Sequence, residues 1–132
     1  MNIIFHLSLY EKCPVFSLNP FLTYLHTHKP KDALLLEWDN FSEISLQKQF
    51  TQLVTDCTKF LLITQAEPKA SVATVMPFLE KVIQNQHKGT WIGQRNHAIL
   101  QKYIQRLQNN TFVEWHSGQE MNTWESVWAY LI

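Results

Sequence analysis

Glycine is scarce in this 132-residue sequence, which contains only Gly89, Gly93 and Gly118. A P-loop and a dinucleotide-binding fingerprint both need closely spaced glycines, because phosphate groups must approach bare backbone amides. The nearest pair is Gly89 and Gly93, but the residues between them are Thr-Trp-Ile and no lysine follows. The sequence therefore contains neither of these phosphate-binding motifs.

The chain also has no net charge, since 11 Lys and Arg balance 11 Asp and Glu. Residues 1–66 contain five lysines and six acids, and residues 67–132 contain six basic and five acidic residues. Nucleic-acid binding requires a basic face that displaces the counterions of the phosphates. The one dense basic stretch, His-Thr-His-Lys-Pro-Lys at 26–31, is typical of a solvated loop. We therefore expect no nucleic-acid partner.

Cysteines and long apolar runs are sparse as well. Cys13 and Cys57 are isolated in the sequence, which favours two reduced thiols in a cytosolic protein over a secreted disulfide scaffold. The first nine residues carry no positive region, and their apolar run is too short for a signal peptide or a membrane span. We therefore expect a cytoplasmic protein that does not associate with membranes.

The sequence does contain short apolar runs that alternate with amphipathic segments, which is the pattern of βα units. The apolar runs predict strands at 2–9, 33–37, 60–64 and 90–92, and a fifth at 111–115. Glu114 interrupts the fifth run, which favours an edge position. The runs at 33–36 and 60–63 are apolar at every position, as strands are when helices cover both faces of a parallel sheet.

Apolar residues at intervals of three and four predict helices at 42–58, 71–86 and 96–107. Pro77 falls inside the second of these, so either the helix bends there or its first turn is irregular, and we expect a bend. Asn122 and Glu125 resemble a capping pair at the start of a last helix. The first crossover is less regular, and it predicts one short helix at 20–26 with Pro20 in its first turn.

These elements predict one α/β domain over residues 1–132. Its expected architecture is a doubly wound, flavodoxin-like three-layer sandwich with a five-stranded, mainly parallel sheet. The strand order would be 2-1-3-4-5, and the Rossmann-type order 3-2-1-4-5 is the alternative. Many unrelated activities share this arrangement, so the prediction concerns the fold alone.

Ligands of open parallel sheets bind beyond the carboxyl ends of the strands, where the connections diverge to opposite faces. For order 2-1-3-4-5 this crevice lies near residues 8–12 and 65–68, with residues 39–40 and 93–97 beside it. The polar side chains of these loops are the candidate ligand-binding residues: Glu11, Lys12, Asp39, Gln65, Glu67, Arg95, Asn96 and His97. Among the histidines, His97 is the one placed for general acid/base work with a residue of the first or third loop.

The sequence lacks the residues that several functions known on this architecture require. Receiver domains of two-component signalling accept phosphate on an aspartate at the end of the third strand, where this chain has Gln65. Flavodoxins hold the flavin phosphate with a Ser/Thr/Gly-rich loop, whereas residues 9–16 are bulky and contain no glycine. The sequence has no His-Glu-x-x-His and no Gly-x-Ser-x-Gly. We therefore assign no catalytic residue and expect neither a cofactor nor a metal.

Aromatic residues concentrate in the last twenty positions, at Trp115, Trp124, Trp128 and Tyr130. Trp124 and Trp128 have the spacing of a buried helical stripe, so one interpretation is that they pack under the last helix. Tyr130 lies off this stripe, and tryptophan and tyrosine are enriched in binding hot spots, so the fifth strand and the last helix form the predicted interface. The leading hypothesis is a non-catalytic cytosolic interaction or regulatory module that binds another protein, or a second copy of itself, through this surface. The alternative is a small-molecule-binding protein or enzyme with its site at the carboxyl edge of the sheet.

Overall fold

The computed structural model describes residues 1–14, 25–108 and 111–114. Its strands are β1 (Asn2–Leu9), β2 (Ala33–Asp39), β3 (Lys59–Ala66), β4 (Gly89–Gly93) and β5 (Phe112–Glu114). The α-helices are α1 (Ile44–Asp56), α2 (Met76–Gln84) and α3 (Ala98–Ile104), and short 3-10 helices cover Ala73–Val75 and Gln86–Lys88. Residues 25–28 are also helical. Within these ranges, no helix has the length and apolar content needed to cross a bilayer.

The five strands form one sheet in the order β2-β1-β3-β4-β5, and every neighbouring pair is parallel. This confirms the predicted α/β class and the predicted strand order, and it excludes the Rossmann-type order. The arrangement is consistent with a flavodoxin-like three-layer fold. Because the chain passes from β1 to β2 on one side and then returns to β3 on the other, the switch point lies between β1 and β3.

The sheet has an apolar core on each face. Alternate residues of β1, such as Phe5 and Leu7, face α1, α2 and α3 and share one cluster with them. Ile4 faces the opposite side, where it packs with β3, β4 and Leu25 of the helical residues 25–28. Residues 3–9 of β1 and 60–64 of β3 are all buried. The apolar run of β3 therefore marks a strand covered on both faces, as predicted.

The similar run in β2 does not mark such a strand, and this part of the prediction was wrong. Leu34 is 42% exposed, and Leu35 and Leu36 are only partly buried. The physical reason is the position of β2 at the edge of the sheet, where β1 is its one strand neighbour in the described residues. Consecutive leucines are also found in an edge strand, so their pattern alone does not distinguish the two positions.

The helices begin later than the apolar spacing predicts. An irregular first turn, the alternative to a bend at Pro77, describes this segment: a 3-10 turn precedes α2 and places Pro77 in the first turn of the α-helix. An N–H in the first turn has no intrahelical acceptor, so proline is tolerated there.

The last predicted helix lies outside the described residues, as does most of the helix predicted at 20–26. The edge position predicted for the fifth strand is confirmed, and Glu114 is exposed.

An aromatic cluster joins β1 and β2 to the helices. Trp38 meets Phe50 of α1 and Phe78 of α2 edge-on, with a ring-centroid separation of 4.7 Å in each case. Phe5 packs against both Trp38 and Phe78 at 6.0 and 5.2 Å. The Trp38 indole N–H donates to Gln47 Oε1 at 2.7 Å, so the buried polar atom of this ring is satisfied. These contacts fix α1 and α2 over β1 and β2.

Both cysteines are unpaired. Cys57 is buried after α1, and its thiol donates to the Val54 carbonyl at 3.4 Å. Burial raises the pKa of the Cys57 thiol, which keeps it in the unreactive protonated form at neutral pH. Cys13 is exposed on the loop after β1.

The first residue of β4 has no room for a side chain. Gly89 is in register with Phe60, and a Cβ at position 89 would overlap the Phe60 ring. We expect Gly89→Ala to lower the free energy of unfolding by about 2 kcal/mol, because the buried ring must move. Chemical denaturation of the wild type, Gly89→Ala, Phe60→Leu and the double variant tests this cause. Additive losses would contradict it, since the smaller leucine side chain should accommodate the new methyl group.

Candidate functional site at the carboxyl edge of the sheet

A cavity of about 210 Å³ opens at the carboxyl ends of β1 and β3, at the switch point of the sheet. Residues at or just beyond the ends of β1, β3 and β4 line it: Ser8, Leu9, Tyr10, Gln65, Ala66, Glu67 and Gln94. Ligand pockets usually measure roughly 300–1,000 Å³, so this cavity is small. At ~30 Å³ for each water-sized group, it has room for about seven of them.

Ser8 is one of the polar residues that line this cavity. The residue is 7% exposed, and its hydroxyl makes no hydrogen bond to any described residue. Ser8 is in register with Gln65 of β3, so the two side chains project from the same face of the sheet. The hydroxyl is therefore placed beside the Gln65 amide at the wall of the cavity.

Behind Ser8, two residues earlier on the same face, lies His6. It is 1% exposed, and its Nε2–H donates to Gln65 Oε1 at 2.7 Å. Burial lowers the pKa of His6 to about 4, and the bond to Gln65 offsets only part of this effect. His6 is thus neutral at pH 7. Its hydrogen bond holds the Gln65 amide that lines the cavity.

Asn40 holds together the loops that follow β1, β2 and β3. Its side chain accepts the Tyr10 backbone N–H and donates to the carbonyls of Tyr10 and Ser71, each at 2.9 Å. Its own carbonyl accepts the Thr74 hydroxyl at 2.9 Å. Because Asn40 is buried, these bonds are shielded from water. The wall of the cavity at Tyr10 is therefore fixed in place.

Glu11 and Glu67 join the loops after β1 and β3. The Glu67 N–H donates to the Leu9 carbonyl at 2.9 Å. The Glu11 N–H donates to Glu67 Oε1 at 2.8 Å, and Glu11 Oε1 accepts the Lys69 N–H at 3.1 Å. Backbone amides therefore position both carboxylates beside the cavity, although both residues are exposed. Lys12, on the same loop as Glu11, is exposed and does not line the cavity.

Three other predicted site residues make contacts elsewhere. Asp39 accepts the Phe41 N–H at 2.7 Å and so stays in the turn after β2. Arg95 lies 3.7 Å from a carboxylate oxygen of Glu114 and stacks 4.7 Å from the centre of the Phe112 ring, so it reaches toward β5. Asn96 donates to the Ala66 carbonyl at 2.8 Å and thereby ties the loop after β4 to the end of β3.

His97 has a structural role in place of the acid/base role expected from the sequence. It is 4% exposed, and its Nε2–H donates to the Ala70 carbonyl at 2.7 Å. Its Nδ1 accepts the backbone N–H groups of Ile99 and Leu100 at 3.2 and 3.3 Å, which caps α3. Both ring nitrogens are therefore occupied within the fold, and His97 does not line the cavity.

Of the eight candidate ligand-binding residues, Gln65 and Glu67 line the cavity, and Glu11 contacts Glu67. The candidates did not include Ser8 and Gln94, although both lie in the loop ranges that the strand order predicts. A signal for Ser8 is present in β1, where His6 and Ser8 are polar residues at alternate positions of a strand that is apolar at every other position after Asn2. The hydrogen bond between His6 and Gln65 depends on the register of β1 and β3, and the sequence near either residue does not indicate it.

The predicted interface residues Trp115, Trp124, Trp128 and Tyr130 lie outside the described residues. In residues 1–14, 25–108 and 111–114, no three His, Cys, Asp or Glu side chains converge as a metal site would require. Comparison with known protein families, with curated proteins and with solved structures found no match.

The burial of neutral His6 predicts a pH-dependent stability. Unfolded chains take up a proton on His6 below pH 6.5, whereas the folded protein does so only below about pH 4. The free energy of unfolding should therefore fall as the pH drops through this window, with no contribution from His6 above it. Between pH 7 and pH 4.5 the wild type should lose about 2 kcal/mol more than His6→Gln, which cannot titrate.

Chemical denaturation of both proteins at several pH values between 4.5 and 7 measures this difference. Carboxylates titrate equally in the two proteins, so their effects cancel in the comparison. Parallel stability profiles would show that His6 gains a proton as easily in the folded protein as in the unfolded chain.

Proposed function

We propose that this protein binds a small polar molecule in the cavity between the ends of β1 and β3. The observation that carries the proposal is the polar lining of this cavity, where Ser8 lies beside Gln65 and Glu67 at the switch point of the sheet. The position supports it as well, because the crevice at a switch point is where ligands of open parallel sheets bind. The volume of about 210 Å³ favours a small ligand.

The walls of the cavity are arranged before any ligand arrives. Asn40 fixes the loop after β1, Asn96 fixes the end of β3, and His6 orients the Gln65 amide. A site that is already ordered loses little conformational entropy on binding, which favours affinity for a small ligand. We propose binding without catalysis, because His97 has both ring nitrogens engaged and His6 is buried and neutral.

Ser8→Ala provides the first test. Since the hydroxyl makes no bond to the described residues, its removal should change the free energy of unfolding by less than about 0.5 kcal/mol. It should weaken the binding of a small polar ligand severalfold if the hydroxyl contacts that ligand. Amide chemical shifts of the full chain, recorded against a set of small polar compounds, measure the binding. Denaturation of the variant without a ligand measures its stability.

A bulky substitution provides the matched test of location. Gln94→Trp places a large ring at the cavity and should abolish the ligand-induced shifts at residues 8–10 and 65–67. Gln84→Trp makes the same change at the exposed end of α2, away from the cavity lining, and should leave them intact. Equal binding by both variants, or shifts confined to other residues, would refute the proposed site.

A second candidate function is self-association through β5 and the last helix. β5 is a three-residue edge strand, and β4 is its one neighbour in the described part of the sheet. An edge strand of this kind can pair with a strand of another chain. The tryptophans and tyrosine that follow β5 in the sequence also suit an interface. With both cysteines unpaired, either function is compatible with the cytoplasmic location that we propose.

The second candidate predicts an average mass that rises with protein concentration. Trp115→Ala and Tyr130→Ala should each shift the dissociation constant of the dimer upward by about tenfold if these side chains anchor it. Sedimentation equilibrium over a wide concentration range measures the mass, and Phe41→Ala is the control at another exposed aromatic residue. A monomer at every concentration would exclude self-association.

A further inference from the structure

The outer edge of β2 is closed at both of its ends. β2 is an edge strand, so half of its backbone groups face away from β1. The Ala33 N–H donates to the Pro30 carbonyl at 3.1 Å, and the Ala33 carbonyl accepts a bond from the Lys29 ammonium at 2.7 Å. The Asp39 N–H donates to the Ser42 hydroxyl at 3.1 Å, and the Asp39 carbonyl accepts the Ser42 N–H at 3.2 Å. The outward groups of the first and last residues of β2 are therefore already bonded.

The middle of the same edge is open in the part of the chain that the structure describes. Backbone groups point to alternate sides along a strand, so Leu35 and Glu37 face outward like the two end residues. Apart from the pairing of β2 with β1, no described residue forms a backbone bond with either of them. Glu37 is exposed and Leu35 is half-buried. This edge therefore presents two N–H and two carbonyl groups to a neighbouring strand.

These four groups are self-complementary. In an antiparallel pair, residues that lie opposite each other can exchange both of their N–H···O bonds. If a second β2 runs antiparallel along this edge with Leu36 on the two-fold axis, each Leu35 lies opposite Glu37 of the other copy. All four groups of each copy then have partners. An axis at Leu35 would instead place Glu37 opposite Ala33, whose groups are already bonded. The bonded ends therefore select one register.

The same register covers an exposed apolar side chain and brings opposite charges together. Leu34, which is 42% exposed, would lie opposite Trp38 of the other copy and on the same face of the joined sheet. Ala33 would lie opposite Asp39 of the other copy. Because the Lys29 ammonium is held at the Ala33 carbonyl, it would be placed near that carboxylate. The two-fold axis repeats each of these contacts, so every favourable contact occurs twice.

We infer that β2 pairs antiparallel with β2 of a second copy of this chain, with Leu36 on the two-fold axis. The two sheets then continue into one another across the contact. The partner is a second copy because the open groups of this edge are matched by the same groups turned around. This surface lies at the opposite edge of the sheet from β5, and the inference does not depend on the cavity.

A disulfide across the axis tests the register. Opposed residues of a non-hydrogen-bonded antiparallel pair have Cα atoms roughly 4.5 Å apart, which a disulfide can span. In a Cys13→Ser background, which removes the exposed thiol, Leu36→Cys should give a covalent dimer under mild oxidation. Leu34→Cys is the matched control on the same face, because its two copies would lie four residues apart along the strands. Non-reducing electrophoresis of concentrated full-length protein measures the dimer. Equal cross-linking of both variants, or none with Leu36→Cys, would overturn the inference.

Glu37→Pro tests the hydrogen bonds between the copies. The Glu37 N–H faces away from β1, so proline removes no bond within the sheet. It removes two of the four bonds of the dimer and should raise the dissociation constant at least about tenfold. Glu37→Thr keeps the N–H and should not weaken the dimer. Sedimentation equilibrium measures both constants, and chemical denaturation checks that both variants are folded.

The outcomes also separate this contact from one at β5. A dimer that Trp115→Ala abolishes and Glu37→Pro leaves intact would place the contact at β5 and overturn the inference. A monomer at every concentration would overturn it as well. A Leu36→Cys cross-link that persists in the presence of Trp115→Ala would support pairing through β2. If Glu37→Pro does not fold, the comparison of Leu36→Cys with Leu34→Cys still decides the question.

Discussion

The central position of β1 is the constraint on which the rest of this structure depends. β1 pairs with β2 along one edge and with β3 along the other, and an apolar core covers each of its faces. Most of a strand in this position is shielded from water, so its polar groups need partners within the protein, except at the end where the cavity opens. The end of β1 is also where the chain connections diverge, and this combination creates the cavity.

His6 and Ser8, two polar residues of β1, meet that constraint in different ways. His6 is buried as the neutral imidazole and has Gln65 as a partner, so it supports the fold and the position of that amide. Ser8, two residues further on, makes no hydrogen bond to the described residues and lies where the strand reaches the cavity. Its hydroxyl is therefore placed to meet water or a bound molecule there.

Much of the fold follows from sequence periodicity, and less of the site does. Runs that are apolar at every position identified β3 as a covered strand, because such strands need no alternation. The same pattern was misleading at β2, since Leu34 lies on an edge strand and is partly exposed. The strand order then predicted which loops meet. It could not predict side-chain directions, because these depend on bonds between distant residues, such as Tyr10 with Asn40.

The loop after β4 connects the two surfaces for which functions are proposed. Gln94 lines the cavity, while the next residue, Arg95, reaches Glu114 and the Phe112 ring of β5. Asn96 and His97 anchor the same loop to the carbonyls at the end of β3 and just beyond it. Small displacements in a packed structure are rarely absorbed by one side chain, because the neighbours are close-packed. A ligand that contacts Gln94 and a partner that contacts β5 would therefore act on one anchored segment, so the two functions need not be independent of each other.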